Sequence, residues 1–401
     1  MAEPLRILHL LPDLQTGGGQ SLVLSNISHM DKSRFRNIVC YVRPENDFEW
    51  AFLDAGIETF CLDHRPGRGL RTLLRLVRLI RRERIDIVHT NNTRTDRVYG
   101  QMAALLCRAP VVNNLHMPSG PGRDRLLGRP FTLFQNWLWR LTVRHVIAVS
   151  EEVRSTWTQY NTSGGFSGQG VSVINAGIDL GAWNEPPSRD ELDLLRRDLG
   201  LESQRPLLIN VGRLVPQKGQ HFLIPMMAEV VRRFPDAHLL VVGEGDRRPE
   251  LEAAIDSAGL QASITLLGTR HDVSALLALS DLYVFPSVAE GLGVAVIEAM
   301  AAGKPVVAFR IAPLTEFIEH GGNGYLVEPW DVAALARSAC DILSDPDTAR
   351  AFAERGGRIA AERFDIGKIA REVEAVYLTV LAGSALAVAP RPDGSAEGGV
   401  A

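Results

Sequence analysis

Short apolar runs alternate along this chain with longer stretches whose apolar residues recur at helical spacing. In the first half the runs are Arg6 to Leu11 (RILHLL), Asn37 to Val42, Thr59 to Leu62, Ile85 to His89, Val111 to His116, Val146 to Ser150 and Val171 to Asp179. In the second they are Pro206 to Val211, Ala237 to Val242, Ile264 to Leu267, Leu282 to Phe285, Val306 to Phe309 and Gly321 to Pro329. Each has the length of a strand, and turn residues punctuate them. Helical patterns fill the gaps at Ser21 to Met30, Asp47 to Ala55, Gly69 to Arg84, Asp96 to Leu106 and Glu151 to Tyr160. Strand and helix in alternation predict an α/β protein with parallel sheets and crossover helices.

A length of 401 residues suits two domains of ordinary size. Pro186 and Pro187 mark Trp183 to Arg189 as the linker, which divides the chain into residues 1–183 and 190–365. Residues 383–401 are rich in Ala, Pro and Gly and read as a disordered tail.

The formal charge of −4 conceals an asymmetry. Residues 1–180 hold 22 Lys+Arg against 16 Asp+Glu, a net of +6, and the remainder 21 against 31, a net of −10. A basic half suggests contact with an anionic surface. Arg71, Arg75, Arg78 and Arg82 recur at spacings of four, three and four, so one helical face carries all of them, with Leu73, Leu74, Val77 and Ile80 on the apolar side. Such a helix suits anionic lipid headgroups, and equally a solvated helix docked on a sheet. Pro118 to Leu141 mixes Arg123, Arg125, Arg129 and Arg140 with Phe131, Phe134, Trp137 and Trp139, a blend that fits a lipid interface, an acceptor pocket or ordinary packing. No nucleic-acid motif is present. Cys40, Cys61, Cys107 and Cys340 lack metal-ligand spacing and read as reduced core thiols of a cytosolic protein. No signal peptide and no membrane-length apolar stretch is visible.

Candidate chemistry lies at strand ends. After the first run comes a loop with Gly17, Gly18 and Gly19, which reads as a phosphate-type site without being a Walker loop. His116 closes the run Val111 to His116, where a polar group faces the ligand crevice of an open α/β sheet. After Val211 come Gly212, Arg213 and then Lys218, two cations suited to a diphosphate. Gly243 follows the next strand, and Thr269 and Arg270 the one after. The stretch Asp281 to Phe309 reads strand, loop, helix, strand. Its loop holds Glu290, Gly291, Leu292 and Gly293, its helix begins near Val294, and Glu298 lies about a turn further on. Glycines at a helix N-terminus favour an anion, and ionised carboxylates beside it only accept hydrogen bonds, as sugar hydroxyls require.

Pro286, Ser287, Glu290, Gly291, Leu292, Gly293 and Glu298 resemble the signature of the retaining GT-B glycosyltransferases of family 4, with Leu292 in place of the commoner Phe. The glycine loop, His116 and the Arg213–Lys218 pair resemble further motifs of that family, in the same order. The resemblance implies two Rossmann-like domains around a cleft, with the helix at about 366–382 packed back on the first. It also implies a nucleotide-diphosphate sugar donor. Arg213 and Lys218 would hold its diphosphate, with Glu298 on the ribose, Glu290 on the donor sugar and His116 near the reacting carbon. Gly212, Gly243, Thr269, Arg270 and the loop Gly291 to Val294 would complete the donor site. No cofactor or metal is expected, and the acceptor would be a lipid-linked or cell-surface glycan precursor. A sugar-nucleotide epimerase, a soluble disaccharide synthase and a non-catalytic nucleotide-sugar-binding subunit are the alternatives.

Overall fold

The computed structural model describes residues 3–15, 18–91, 94–117, 128–161, 170–184, 187–201 and 206–385. Strands β1 (Leu5–Leu11), β2 (Phe35–Tyr41), β3 (Glu58–Cys61), β4 (Ile87–Thr90), β5 (Val111–Leu115), β6 (Val143–Ala148) and β7 (Gly170–Val173) form one sheet in the order β3-β2-β1-β4-β5-β6-β7. Strands β8 (Leu207–Val211), β9 (His238–Val242), β10 (Ile264–Gly268), β11 (Leu282–Phe285), β12 (Val306–Phe309) and β13 (Tyr325–Val327) form the other, β10-β9-β8-β11-β12-β13. The strand pairings within both sheets are parallel. The central strands are near-continuous apolar runs because helices cover both faces of each sheet.

In each sheet the strand order reverses once, between β1 and β4 and between β8 and β11. Chains leaving the carboxyl ends of such strands part in opposite directions and leave a crevice, the usual ligand site of an open α/β sheet. Gly18 follows β1, Arg213 and Lys218 follow β8, and Glu290 and Gly293 follow β11, the strands at these two points, while His116 follows β5, Gly243 follows β9, and Thr269 and Arg270 follow β10.

The helices Gly69–Arg82, Arg94–Cys107 and Gly128–Thr142 lie side by side on one face of the first sheet. On its other face the helix Gly18–Ser28 packs beside the last helix, Ile366–Ala385. Ile369, Ala370, Val373, Val376 and Tyr377 of the last helix are buried in one cluster with Ile7, Leu11 and Val39. The Tyr377 hydroxyl lies 2.6 Å from His89 Nδ1, and Glu374 Oε1 accepts the Asp31 amide at 2.7 Å. The chain returns from the second lobe beside Ile178, whose amide donates to Phe364 O while Ile366 N donates to Ile178 O.

Three expectations are corrected. Helix follows β1 already from Gly18 rather than Ser21, because nothing after Gly18 interrupts it. The last helix continues through residues 383–385, so they are not part of a tail. The Cys61 side chain is exposed and Cys107 half-buried, so only Cys40 and Cys340 are core thiols. Residues 386–401 lie outside the described residues.

Candidate active site

The loop after β8 and the loop after β11 are laced together. Val288 N donates to Gln217 O at 2.9 Å, Ser287 Oγ lies 3.0 Å from the same carbonyl, and Gln217 Nε2 donates to Ala289 O at 3.1 Å. Between them Gly219 turns left-handed at φ +68°, and a Cβ there would sit 2.0 Å from Pro286 O. No side chain fits that approach. Gln220 Nε2 donates to Arg213 O at 3.0 Å and fixes the segment from Gly212 to Arg213. Gly243 crosses that segment so closely that a Cβ would lie 2.1 Å from Gly212 O.

This lacing delivers Lys218 to Glu290. Lys218 Nζ donates to Glu290 Oε1 at 2.7 Å, Ser287 Oγ donates to the same oxygen at 2.6 Å, and Nζ stands 5.3 Å above the Phe285 ring. Glu290 is buried, so the pair satisfies a carboxylate that would otherwise be costly to enclose. Arg213 is exposed and keeps its charge available at the edge of the site. Gly293 turns left-handed at φ +93° to start the helix Val294–Ala301, and no side chain caps the amides of that first turn. Leu292 is buried, as an apolar position requires.

Glu298 lies on that helix and is half-buried. Its carboxyl has enough protein around it that burial pushes it up to about 7. Tyr283, on β11, is fully buried, and burial first, then the nearby carboxylates of Glu298 and Glu290, push its phenol well above the ordinary value. Its hydroxyl donates to Val211 O at 3.3 Å, so it ties the ends of β8 and β11 beneath the two carboxylates.

Across the cleft, His116 follows β5 and its main chain meets the second lobe. A Cβ on Gly291 would lie 1.7 Å from His116 O, so only glycine allows this contact. Burial lowers the imidazole to about 4, and it is neutral at pH 7. Its Nε2 lies 3.4 Å from Asn91 Oδ1, and Asn91 is tied by its amide to Asp96 Oδ2 at 3.0 Å. Behind His116 a cavity of about 40 Å³, large enough for ordered water, is lined by His9, Asn26, His89, Asn91 and Asn114.

Lys218, Glu290, Gly291, Gly293, Val294 and Glu298 thus come together, with Gly212 and Gly243 beside them and His116 opposite. Gly18 and Gly19 are exposed at the start of their helix with open space around them, while Gly17 lies outside the described residues. Thr269 is exposed, and Arg270 is held by Asp272 through Nε at 2.8 Å. One member of the arginine face, Arg75, is corrected. Arg71, Arg78 and Arg82 are exposed, Arg82 donating to Glu83 at 2.8 Å from above the Phe60 ring, whereas Arg75 is half-buried and donates to Leu62 O at 2.7 Å. Spacing alone could not show that Leu62 and Phe60, from the segment before this helix, meet Arg75 and Arg82. Sequence reasoning also missed Gln217, Gln220 and Tyr283, which build the site through main-chain carbonyls that no motif spells out.

Residues 16–182 match the family model described as Glycosyltransferase Family 4, and residues 193–358 match Glycosyl transferases group 1. Alpha-D-kanosaminyltransferase of Streptomyces kanamyceticus is 30% identical over 185 residues, 46% of this chain and 48% of that protein, so the match spans about half of that relative. UDP-Gal:alpha-D-GlcNAc-diphosphoundecaprenol alpha-1,3-galactosyltransferase of Escherichia coli is 26% identical over 296 residues, 72% of this chain and 74% of that one. The crystal structure of Anabaena Alr3699/HepE in complex with UDP-glucose is 26% identical and covers 96% of this chain and 100% of its own, with a TM-score of 0.79. With the two family models matched in tandem onto the two parallel sheets, the chain belongs to the group 1, family 4 glycosyltransferases of GT-B fold.

Proposed function

We propose that this chain moves a sugar from a nucleoside-diphosphate donor to a lipid-linked or cell-surface glycan acceptor, with retention of anomeric configuration. The observation that carries the reading is the lacing of residues 217–220 to residues 286–290 at the head of the helix Val294–Ala301. It sets a cation, two carboxylates and free helix amides within one crevice.

The bond from the anomeric carbon to the β-phosphate oxygen breaks, and negative charge builds on the leaving diphosphate. Arg213, Lys218 and the amides after Gly293 stabilise that charge, which preorganised donors do without reorganising. The acceptor hydroxyl attacks the face the diphosphate leaves. Its oxygen forms the new bond, and its proton passes to the departing phosphate oxygen. Glu298 accepts from the ribose hydroxyls and Glu290 from the donor sugar, with Lys218 shared between Glu290 and phosphate. His116, neutral, sits opposite as a hydrogen-bonding partner for the sugar. The two cations fill the role a divalent metal has in other transferases, so turnover is expected to persist in a chelator.

The donor class is supported by the UDP-glucose held by the Anabaena protein. The acceptor class is supported by the diphosphoundecaprenol-linked acceptor in the name of the Escherichia coli relative. Among the described residues no helix is long and apolar enough to cross a membrane. A cytoplasmic protein held peripherally on the inner face of a membrane, through Arg71 and Arg78, fits such an acceptor.

Calorimetry with UDP tests the reading. Arg213→Ala, Lys218→Ala and Glu298→Ala should each weaken binding by roughly tenfold or more, the scale of a lost charge-assisted hydrogen bond. Wild-type affinity in all three would remove the site.

A further inference from the structure

The helix Glu151–Asn161 begins at the carboxyl edge of the first sheet, and its first-turn amides are fully accounted for. Val153 N donates to Ser150 Oγ at 3.2 Å, and Arg154 N donates to Ser150 O at 3.0 Å. The remaining two amides find their acceptor in the other lobe. Glu151 N donates to Glu316 Oε2 at 3.2 Å, and Glu152 N to Glu316 Oε1 at 3.1 Å. One carboxylate of the second lobe therefore caps a helix of the first, where unpaired N–H groups and the dipole favour a negative charge.

Glu316 is not free to swing. It ends the short turn Leu314–Glu316, and Arg363 donates to its carbonyl, so the segment is anchored where the chain crosses back between lobes. The same turn reaches the donor loop. Leu314, fully buried, packs where a Cβ on Gly293 would lie 2.7 Å from its Cδ2. Gly293 sets the N-terminus of the helix Val294–Ala301, and Gly291, two residues earlier, touches His116 O.

We infer that Glu316 is a positioning residue: by capping the helix Glu151–Asn161 across the cleft, it sets the lobes at the separation that brings His116 over the Glu290–Gly293 loop. The link runs from the donor loop through Leu314 to Glu316 and on to the first lobe. Glu316 touches neither donor nor acceptor in this scheme. The inference rests on the donor reading only for its kinetic consequence.

The test uses the full chain and the variants Glu316→Gln and Glu316→Ala. In the wild type the amides of Glu151 and Glu152 should exchange with deuterium at least about tenfold more slowly than in Glu316→Ala, as expected of hydrogen-bonded against open N–H groups. Glu316→Gln, which keeps only one acceptor oxygen, should fall between them. UDP affinity, a property of the second lobe, should stay within about twofold in both variants, because a remote cap contributes nothing to that site. Turnover of UDP-glucose should fall through kcat, with KM for the donor little changed. Equal exchange at Glu151 and Glu152 in all three proteins would overturn the cap, whatever the donor proves to be. Slowed exchange with unchanged kcat would overturn the positioning role. Loss of UDP binding in Glu316→Gln would also count against it, since it would show general damage to the second lobe.

Discussion

Lys218 Nζ stands 2.7 Å from Glu290 Oε1, and this pair joins the loop after β8 to the loop after β11. The side chains retain 17% and 9% of their exposure, so water screens the pair only weakly. Lys218→Ala leaves Glu290 with the Ser287 hydroxyl as its partner. Removing one member of a buried pair costs about 3–5 kcal/mol, and residual exposure at Lys218 brings the expected loss to roughly 2–3 kcal/mol. Lys218→Met with Glu290→Gln should recover more than half of that stability. Urea melts of Lys218→Met, Glu290→Gln and the double variant measure the coupling. Additive losses would show that the pair does not stabilise the loops.

Glu298 gives a pH signature. Its folded carboxyl holds a proton up to about 7 against an ordinary value of 4.5, so between those values the folded state binds more protons than the unfolded one. The Glu298 contribution to stability is therefore fully present below 4.5, falls as pH rises, and levels off above about 7. A tenfold change in proton affinity corresponds to about 1.4 kcal/mol, so Glu298→Gln should gain on the order of 2–3 kcal/mol over wild type at pH 8 and little at pH 4. If the ionised carboxylate accepts from ribose, UDP binding near pH 6.5 must release a proton. Calorimetry in two buffers of different ionisation heat detects it. No proton release, or the same release in Glu298→Gln, contradicts the ribose role.

Much of the fold was legible because central strands of a parallel sheet are unbroken apolar runs, and Leu282 to Phe285 reads so without ambiguity. Motif positions were legible where chemistry restricts residue type. Glu290, Gly291 and Gly293 are such cases. The remainder depends on neighbours distant in sequence. Arg75 looked identical to Arg71 on a helical face until Leu62 O engaged it. The raised carboxyl of Glu298 reflects burial, which no spacing encodes. Glu316 follows an unremarkable Leu-Thr pair, and its partners lie 164 and 165 residues away.

Gly291 tests whether the two lobes work in contact. Alanine there would need His116 O, 1.7 Å from its Cβ, to withdraw, and that oxygen belongs to the other lobe. The second sheet can keep its own fold, so Gly291→Ala should remain soluble and bind UDP within a few-fold of wild type. Turnover should fall about 100-fold, the effect of a misplacement of about 1 Å between reacting groups. Small-angle scattering should show a more open particle. Wild-type turnover in this variant would mean that the His116–Gly291 contact is not part of the working arrangement.

The arginines separate surface from scaffold on a single helix. Arg71 and Arg78 are exposed, and Leu70 and Leu74 beside them keep 71% and 43% of their exposure. On the helix Gly128–Thr142, two places along the same layer, Leu133, Phe134 and Trp137 are also exposed. Basic and apolar groups on one layer suit the boundary between lipid headgroups and acyl chains. A basic residue near an anionic surface contributes about 1 kcal/mol, so reversing both charges in Arg71→Glu with Arg78→Glu should lower vesicle affinity more than about 100-fold. Phosphatidylglycerol vesicles are the probe and phosphatidylcholine vesicles the control. Added salt should release the wild type from the former. Arg75→Glu should behave differently, losing about 1 kcal/mol of stability with its bond to Leu62 O, because its guanidinium serves the fold. Equal sedimentation of wild type and the double reversal with phosphatidylglycerol vesicles would rule out membrane contact through this helix.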